Sequence, residues 1–223
     1  HGTSHKFVSQ EAIKYLQSQG APCGKIVTCH LGNGSSITAV KDGKCVDTSM
    51  GMTPLEGLIM GTRCGNIDAA AVIMLAQAKG MSLDDMSGYL NKKSGFLGVS
   101  GVSSDFRKLC EAVDNNNQRA KLAYDMFAYQ IRKLIGSYAV AMGGLDAVVF
   151  TGGIGENGAR IRRSVCEDME FLGIKVDDKL NEGTPGGSFG DVSAKNSKVR
   201  ILVIPTNEEL VIARETKEIV EKL

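Results

Sequence analysis

A chain of 223 residues is long enough to bury a core, either as one large domain or as two small ones. Its 43% hydrophobic and 23% charged residues are ordinary globular composition, and a formal net charge of +1 gives no global field to attract nucleic acid or an acidic membrane. No apolar run reaches the roughly 18 to 20 residues needed to cross a bilayer, so neither nucleic acid nor membrane is expected as a partner.

In chain order, residues 7–18 place Val8, Ile13 and Leu16 at near-helical spacing, with Gly20 as a stop. Lys25–His30 reads as a short strand. Ser36–Val40 and Lys44–Thr48 follow as a hairpin turning at Asp42-Gly43. Ile67–Ala78 is alanine-rich and apolar and predicts a buried helix ending at Gly80. Ser82 caps the next helix through Asp85, and Gly95 closes that region. From 118 to 142, Ala123, Phe127, Ile131, Leu134, Tyr138 and Met142 recur at steps of three and four, which predicts a long helix with one apolar face. Asp146–Phe150 is a buried strand. A glycine cluster and an amphipathic helix to about residue 172 come after it. Residues 181–197 read as an exposed loop, Val199–Ile204 as a last strand, and Asn207 as the cap of a terminal helix running to Leu223. Strands and helices alternate around an early hairpin, which predicts an α/β fold with a mixed sheet.

Glycine is the outlier: 27 residues, about 12% against roughly 7% in average chains. It clusters where backbone must turn tightly or approach a ligand. In His30-Leu31-Gly32-Asn33-Gly34-Ser35-Ser36 the amides and polar side chains can converge on an anion, although Asn33-Gly34 is equally a hairpin dipeptide. Gly153 to Gly158 matches GxGxxG, with Asp177 and Asp178 about twenty residues on, the superficial mark of a dinucleotide turn. The long helix before it and the lack of a second nucleotide half argue against that reading. A helix start that receives part of a nucleotide fits better.

Thr206-Asn207-Glu208-Glu209 is an Asn cap with acidic first-turn residues, or a carboxylate aimed at Mg²⁺ on nucleotide phosphates. Arg63, flanked by Gly61 and Gly65, has no evident packing purpose. It is either a surface arginine or a guanidinium for a transferring phosphoryl group. Ser104-Asp105 is by default a helix cap. His1 and His5 share the i, i+4 spacing of a zinc helix but lack the intervening glutamate on a segment of poor helix formers, so no metal is expected there. The six cysteines form no CxxC pair and read as free thiols of a reducing cytosol.

Taken together, HGTSHKFV (1–8), HLGNGSS (30–36), DTSMGMTPLEGLIMGTRCGNID (47–68), GVSSDFRKL (101–109), FTGGIGENG (150–158) and IPTNEELVIARE (204–215) closely resemble the acetate kinase family over essentially the whole chain. The resemblance implies an ASKHA (RNase H-like) α/β lobe. The implied reaction is reversible phosphoryl transfer from Mg-ATP to acetate, giving acetyl phosphate and ADP. Carried over by position, Arg63 is similar to the arginine that stabilises the transferring group. His1 resembles the acyl-phosphate histidine, with His5 structural. His30, Asn33 and Gly34 resemble the phosphate turn. Asp105, Phe106, Arg107, Gly153, Ile154 and Asn157 resemble the adenosine pocket, and Glu208, with Glu209 as the alternative, the Mg²⁺-associated glutamate.

The chain opens inside a motif without an initiator methionine. The resemblance therefore implies that residues 1–223 are the C-terminal, nucleotide-binding and dimerising half of a longer chain. The half upstream would carry further phosphate and acyl-site residues, so this chain alone is expected to bind nucleotide without useful turnover, and to form a homodimer in the cytoplasm. The alternatives are a propionate or butyrate kinase and a non-catalytic nucleotide-binding or dimerisation module.

Overall fold

The structure, a computed structural model, describes residues 1–222, and the Leu223 end of the predicted terminal helix lies outside the described residues. Helix α1 (Gly2–Ser18) leads into β1 (Lys25–Leu31), β2 (Ser35–Lys41) and β3 (Lys44–Thr48). Next come α2 (Ala69–Lys79), α3 (Leu83–Lys92), α4 (Gly95–Ser100), α5 (Phe106–Asp114) and α6 (Gln118–Met142). The remainder is β4 (Ala147–Thr151), α7 (Gly152–Asn157), α8 (Ala159–Cys166), α9 (Asp178–Gly183), β5 (Gly190–Asp191), β6 (Arg200–Val203) and α10 (Glu208–Val220). Two compact units emerge: unit 1 is His1–Leu31, Ile37–Thr48 and Leu134–Leu223, and unit 2 is Gly32–Ser36 and Ser49–Lys133.

Unit 1 is built on the sheet, whose order is β3-β2-β1-β4-β6-β5. β4 runs parallel to β1 and to β6, while β2–β3 and β5–β6 are antiparallel, so the sheet is mixed as predicted. All five residues of β4 are buried, which explains its unbroken apolar run: a strand covered on both faces has no polar face to alternate with. On one face Val8, Ala12 and Leu16 of α1 pack with Ile26, Val149, Leu202 and Ile204. Burying each of the valine, leucine and isoleucine side chains contributes about 1.5–3 kcal/mol. The predicted hairpin is present, with Asp42 at φ 50° and Gly43 at φ 76° between paired Lys41 and Lys44, the geometry of a two-residue primed turn.

Several elements differ from their predictions. α1 begins at Gly2, not residue 7, because buried Ser4 and His5 hydrogen-bond to the sheet and outweigh the weak helix propensity of Gly2-Thr3-Ser4. The helix expected to reach residue 172 breaks into α7, α8 and a 3-10 turn at Glu170–Leu172. The expected loop 181–197 contains the end of α9, the edge strand β5 and buried Val192, Ser193 and Ala194.

In unit 2, α3 starts with the predicted Ser82–Asp85 capping box. Gly95, expected to close that region, instead opens α4. α2 has the predicted Gly80 cap but buries none of its residues: apolar composition predicts burial only where something covers the helix. Residues 49–68 form no helix or strand, yet Leu58, Ile59 and Met60 are buried. That loop is tethered by Gly57 N–H to Asn66 Oδ1 (2.8 Å) and by Ile59 N–H to Gln130 Oε1 (2.8 Å). Gly65 holds it closed at φ 70°, where a Cβ would lie 2.5 Å from the Leu58 carbonyl.

Candidate functional site

The candidate residues divide between the units. In unit 1, His30 near the end of β1 pairs in register with Thr151, the last residue of β4, and α7 starts at the next residue. A Cβ on Gly152 would stand 2.7 Å from the Leu31 carbonyl, so the glycine turn sits directly on the end of β1. Glu156 then ties this turn to the next strand end. Its Oε1 accepts from Gly152 N–H (3.0 Å), Thr151 Oγ1–H (3.4 Å) and Thr206 N–H (3.3 Å). One carboxylate oxygen thereby sets α7, which carries Gly153, Ile154 and Asn157, beside the β6–α10 junction that carries Glu208.

The first amide of α7 is taken by Glu156, which changes the expectation that this helix start receives nucleotide. The side of α7 that carries Asn157 is what remains open. Asn157 is exposed, and its Nδ2 donates to the Gly153 carbonyl at 2.8 Å. The dinucleotide fingerprint dissolves here too. Asp177 caps α9 through Leu180 N–H (3.0 Å), and Asp178 pairs with Arg163 (3.3 Å). Asn207 caps α10 as predicted, accepting from Leu210 N–H at 3.0 Å.

Glu208 is half-buried, and its carboxylate has no hydrogen bond or ion pair among the described residues. Glu209 is exposed. Among those residues no group of three His, Cys, Asp or Glu could hold a metal by itself. A lone uncommitted carboxylate suits Mg²⁺, an ion held mainly by waters and substrate phosphates.

All three histidines of the chain meet in unit 1. The His1 and His30 rings stack at 4.0 Å, and His5 stands edge-on to both at about 6 Å. Ser4 Oγ lies 2.7 Å from His30 Nδ1, and Thr28 Oγ1 2.7 Å from His5 Nδ1. Burial, then the neighbouring His30 and the terminal amine, push His5 down to about 3. Burial, then the same amine, pushes His30 down to about 4. Both rings are neutral at pH 7. His5 is buried and held against β1 by its Thr28 bond.

In unit 2, Gly61 N–H donates to the Asn33 carbonyl (3.0 Å), and a Cβ on Gly61 would lie 3.0 Å from Asn33 Cγ and 3.1 Å from the Ser104 carbonyl. The Asn33-Gly34 turn, the Arg63 loop and the start of α5 are thus drawn together. Arg63 is half-buried, donating from Nη1 to the Pro54 carbonyl at 3.1 Å and to Met60 Sδ at 3.5 Å. The stem is shielded by the loop, but among the described residues the guanidinium pairs with no carboxylate.

Asp105 caps α5 as expected, accepting Arg107 N–H (2.9 Å), and also binds the Arg107 guanidinium (2.6 Å). Those bonds hold its carboxyl at about 2. Phe106 rests among Phe96, Tyr124 and Phe127 with ring centroids 5.6–5.8 Å away, so its position is fixed by core packing.

A family model described as the Acetokinase family matches residues 1–214. The chain belongs to the acetokinase family. It is 54% identical over its full length to an acetate kinase of Bacteroides thetaiotaomicron and 56% identical over 221 residues to one of Methanosarcina thermophila. Its structure superposes on Porphyromonas gingivalis acetate kinase with a TM-score of 0.92 at 49% identity, over 99% of this chain and 55% of that one. A propionate kinase from Francisella tularensis follows at 0.87 and 45%, over 96% of this chain and 54% of that one. In this acetokinase the mixed sheet with packed helices is the α/β architecture that the motifs implied. The chain spans about 55% of the length of the Bacteroides thetaiotaomicron relative and 53% of the Methanosarcina thermophila one.

Glu156 escaped the sequence reading although its motif was singled out. One partner lies 50 residues away, and no local spacing signals it. The same holds for Ser4, which orients His30 from 26 residues away.

Proposed function

We propose that this chain is the nucleotide-binding lobe of an acetate kinase, placed C-terminally as its motifs imply, and that the complete enzyme transfers phosphoryl reversibly between ATP and acetate. The observation that carries the reading is Arg63, a half-buried guanidinium anchored by a carbonyl and a thioether, with no carboxylate among the described residues to neutralise it. A module that only bound nucleotide or dimerised would have no need of it. In-line phosphoryl transfer asks for positioning and charge stabilisation, not a covalent side chain.

Arg63 faces the charge that builds on the transferring group. His1 lines the acyl-phosphate site. His30, neutral and oriented by Ser4, offers Nε2 to phosphate, with Asn33 and Gly34 supplying the rest of the phosphate turn. Asp105, Phe106, Arg107, Gly153, Ile154 and Asn157 bind adenosine. Glu208 would hold Mg²⁺, which supplies charge neutralisation on the nucleotide phosphates.

We further propose that the chain self-associates as a homodimer through the uncovered α2, and that it works in the cytoplasm, where its six free thiols persist. Acetate and propionate remain competing acceptors. Their specificity ratio is read by comparing kcat/KM in a chimera that completes this lobe with the unmatched part of the Bacteroides thetaiotaomicron relative.

Calorimetric titration of the 223-residue chain with Mg-ADP, using NAD as the control ligand, tests the nucleotide reading. Saturable ADP binding without NAD heat is expected, together with negligible acetyl-phosphate turnover by the isolated chain. A folded chain that ignores ADP would refute the nucleotide assignments, and full turnover would refute the half-enzyme reading.

A further inference from the structure

The segment Thr184-Pro185-Gly186-Gly187-Ser188-Phe189-Gly190 is pinned at both ends. Thr184 Oγ1–H donates to the Leu180 carbonyl at 2.8 Å, and a Cβ on Gly190 would lie 2.6 Å from Thr184 Oγ1, so the two ends of the segment touch. Next to Gly190, the Phe189 ring packs on Tyr15 at 4.7 Å. Between the ends, Ser188 N–H donates to the Pro185 carbonyl at 3.2 Å, closing a turn with Gly187 at φ 76°.

Such a turn needs glycine at its third position, which is Gly187. Its second position accepts most residues, and Gly186 there has no left-handed φ. What bars a side chain at 186 is a neighbour: its Cβ would fall on Asn157 Oδ1 and stand 2.6 Å from Asn157 Cγ. The segment is therefore the wall against which the Asn157 carboxamide rests while its Nδ2 reaches the Gly153 carbonyl.

We propose that Gly186 is a positioning residue of the adenosine site, required as glycine so that Asn157 keeps the orientation in which it meets the nucleoside. This rests on the assignment of Asn157 to the adenosine pocket. The obstructing atom is the tip of an exposed side chain, so a methyl at 186 displaces Asn157 at little cost to folding. Its effect appears in nucleotide binding, not in stability.

The test compares Gly186→Ala, Asn157→Ala and the double variant, with Gly183→Ala as control because a Cβ there meets nothing within 4 Å. Mg-ADP affinity is measured by calorimetry, thermal midpoint by circular dichroism, and the Asn157 side-chain amide by NMR without ligand. Gly186→Ala is expected to melt like the control, to shift the Asn157 amide resonance and to weaken ADP roughly tenfold, the scale of one lost hydrogen bond. The double variant should bind no more weakly than Asn157→Ala. Parent-like ADP affinity in Gly186→Ala, additive losses in the double variant, or an unmoved Asn157 resonance would each overturn the proposal. Parent-like ADP binding by Asn157→Ala would instead remove Asn157 from the adenosine pocket. Should the parent chain bind no ADP, the Asn157 resonance decides the positioning claim by itself.

Discussion

His5 and Arg63 show how burial decides what a polar side chain can do. His5 is 6% exposed and neutral, because burial depresses its folded pKa to about 3 from the ordinary histidine value of 6.5. A histidine depressed in the folded state contributes stability that is fully present above pH 6.5. That stability is lost as pH falls from 6.5 towards 3, because only the unfolded chain takes up the proton. Between pH 7.5 and 5.5 this linkage amounts to about 1.4 kcal/mol for each such ring. Urea unfolding at the two pH values should therefore show His5→Asn, which can keep a bond to Thr28, losing about 1.4 kcal/mol less than the parent. Equal losses would mean that His5 is protonated in the fold.

Arg63 is the converse, a charge whose loop shields the stem and supplies no counter-charge. In the chimera, Arg63→Ala should lower kcat by roughly 10²–10³ with little change in the KM for ADP, as expected when a group stabilises charge formed only in the transition state. Arg63→Lys should recover only a small part, because a point charge cannot reproduce the planar fork. A rise confined to the KM for ADP would make Arg63 a nucleotide-binding residue instead.

At the scale of elements, the short helix α7 is held by partners distant in sequence. Fully buried Arg162 donates to the Gly155 and Glu156 carbonyls (2.9 Å each), to Asn181 Oδ1 (2.7 Å) and to the Asn181 carbonyl (2.8 Å), fastening α7 to α9 through α8. Desolvation lowers its pKa, and neutral oxygens compensate the charge in place of a carboxylate. Arg162→Met would strand those acceptors and should cost about 2–4 kcal/mol in urea unfolding. A loss below about 1 kcal/mol would show that water replaces the clamp.

This clamp also marks where sequence stops being informative. Periodicity located α6, and dipeptide chemistry located the Asp42-Gly43 hairpin and the Ser82 cap, because those signals are local. α7 is not periodic, and its stability comes from Arg162, Asn181 and Glu156, whose partners no window of a dozen residues contains. Around the candidate site, the glycine turns and the Asn207 cap were legible as local structure for the same reason. Ser4 behind His30 and Gly186 behind Asn157 were not. α2 was misjudged in the opposite sense, because its composition is that of a buried helix and its surroundings are not.

For the whole molecule, α2 poses the sharpest question. Val72, Ile73, Met74 and Leu75 lie on one helix that buries nothing, with Ile73 58% and Met74 68% exposed. A helix apolar on all sides stays in water only at a cost, which makes α2 the candidate interaction surface. A second copy of the chain is the occupant proposed here, and a two-fold contact would place α2 of each copy on the same patch of the other. Sedimentation of the chain at micromolar concentration should give a dimer, and the Ile73→Glu/Met74→Glu pair a monomer. Because neither side chain is buried in the single chain, the charges should leave its folding and its Mg-ADP binding intact. A parent that sediments as a soluble monomer would leave α2 to be covered by something other than its own copy. A variant that remains dimeric would move the interface away from α2.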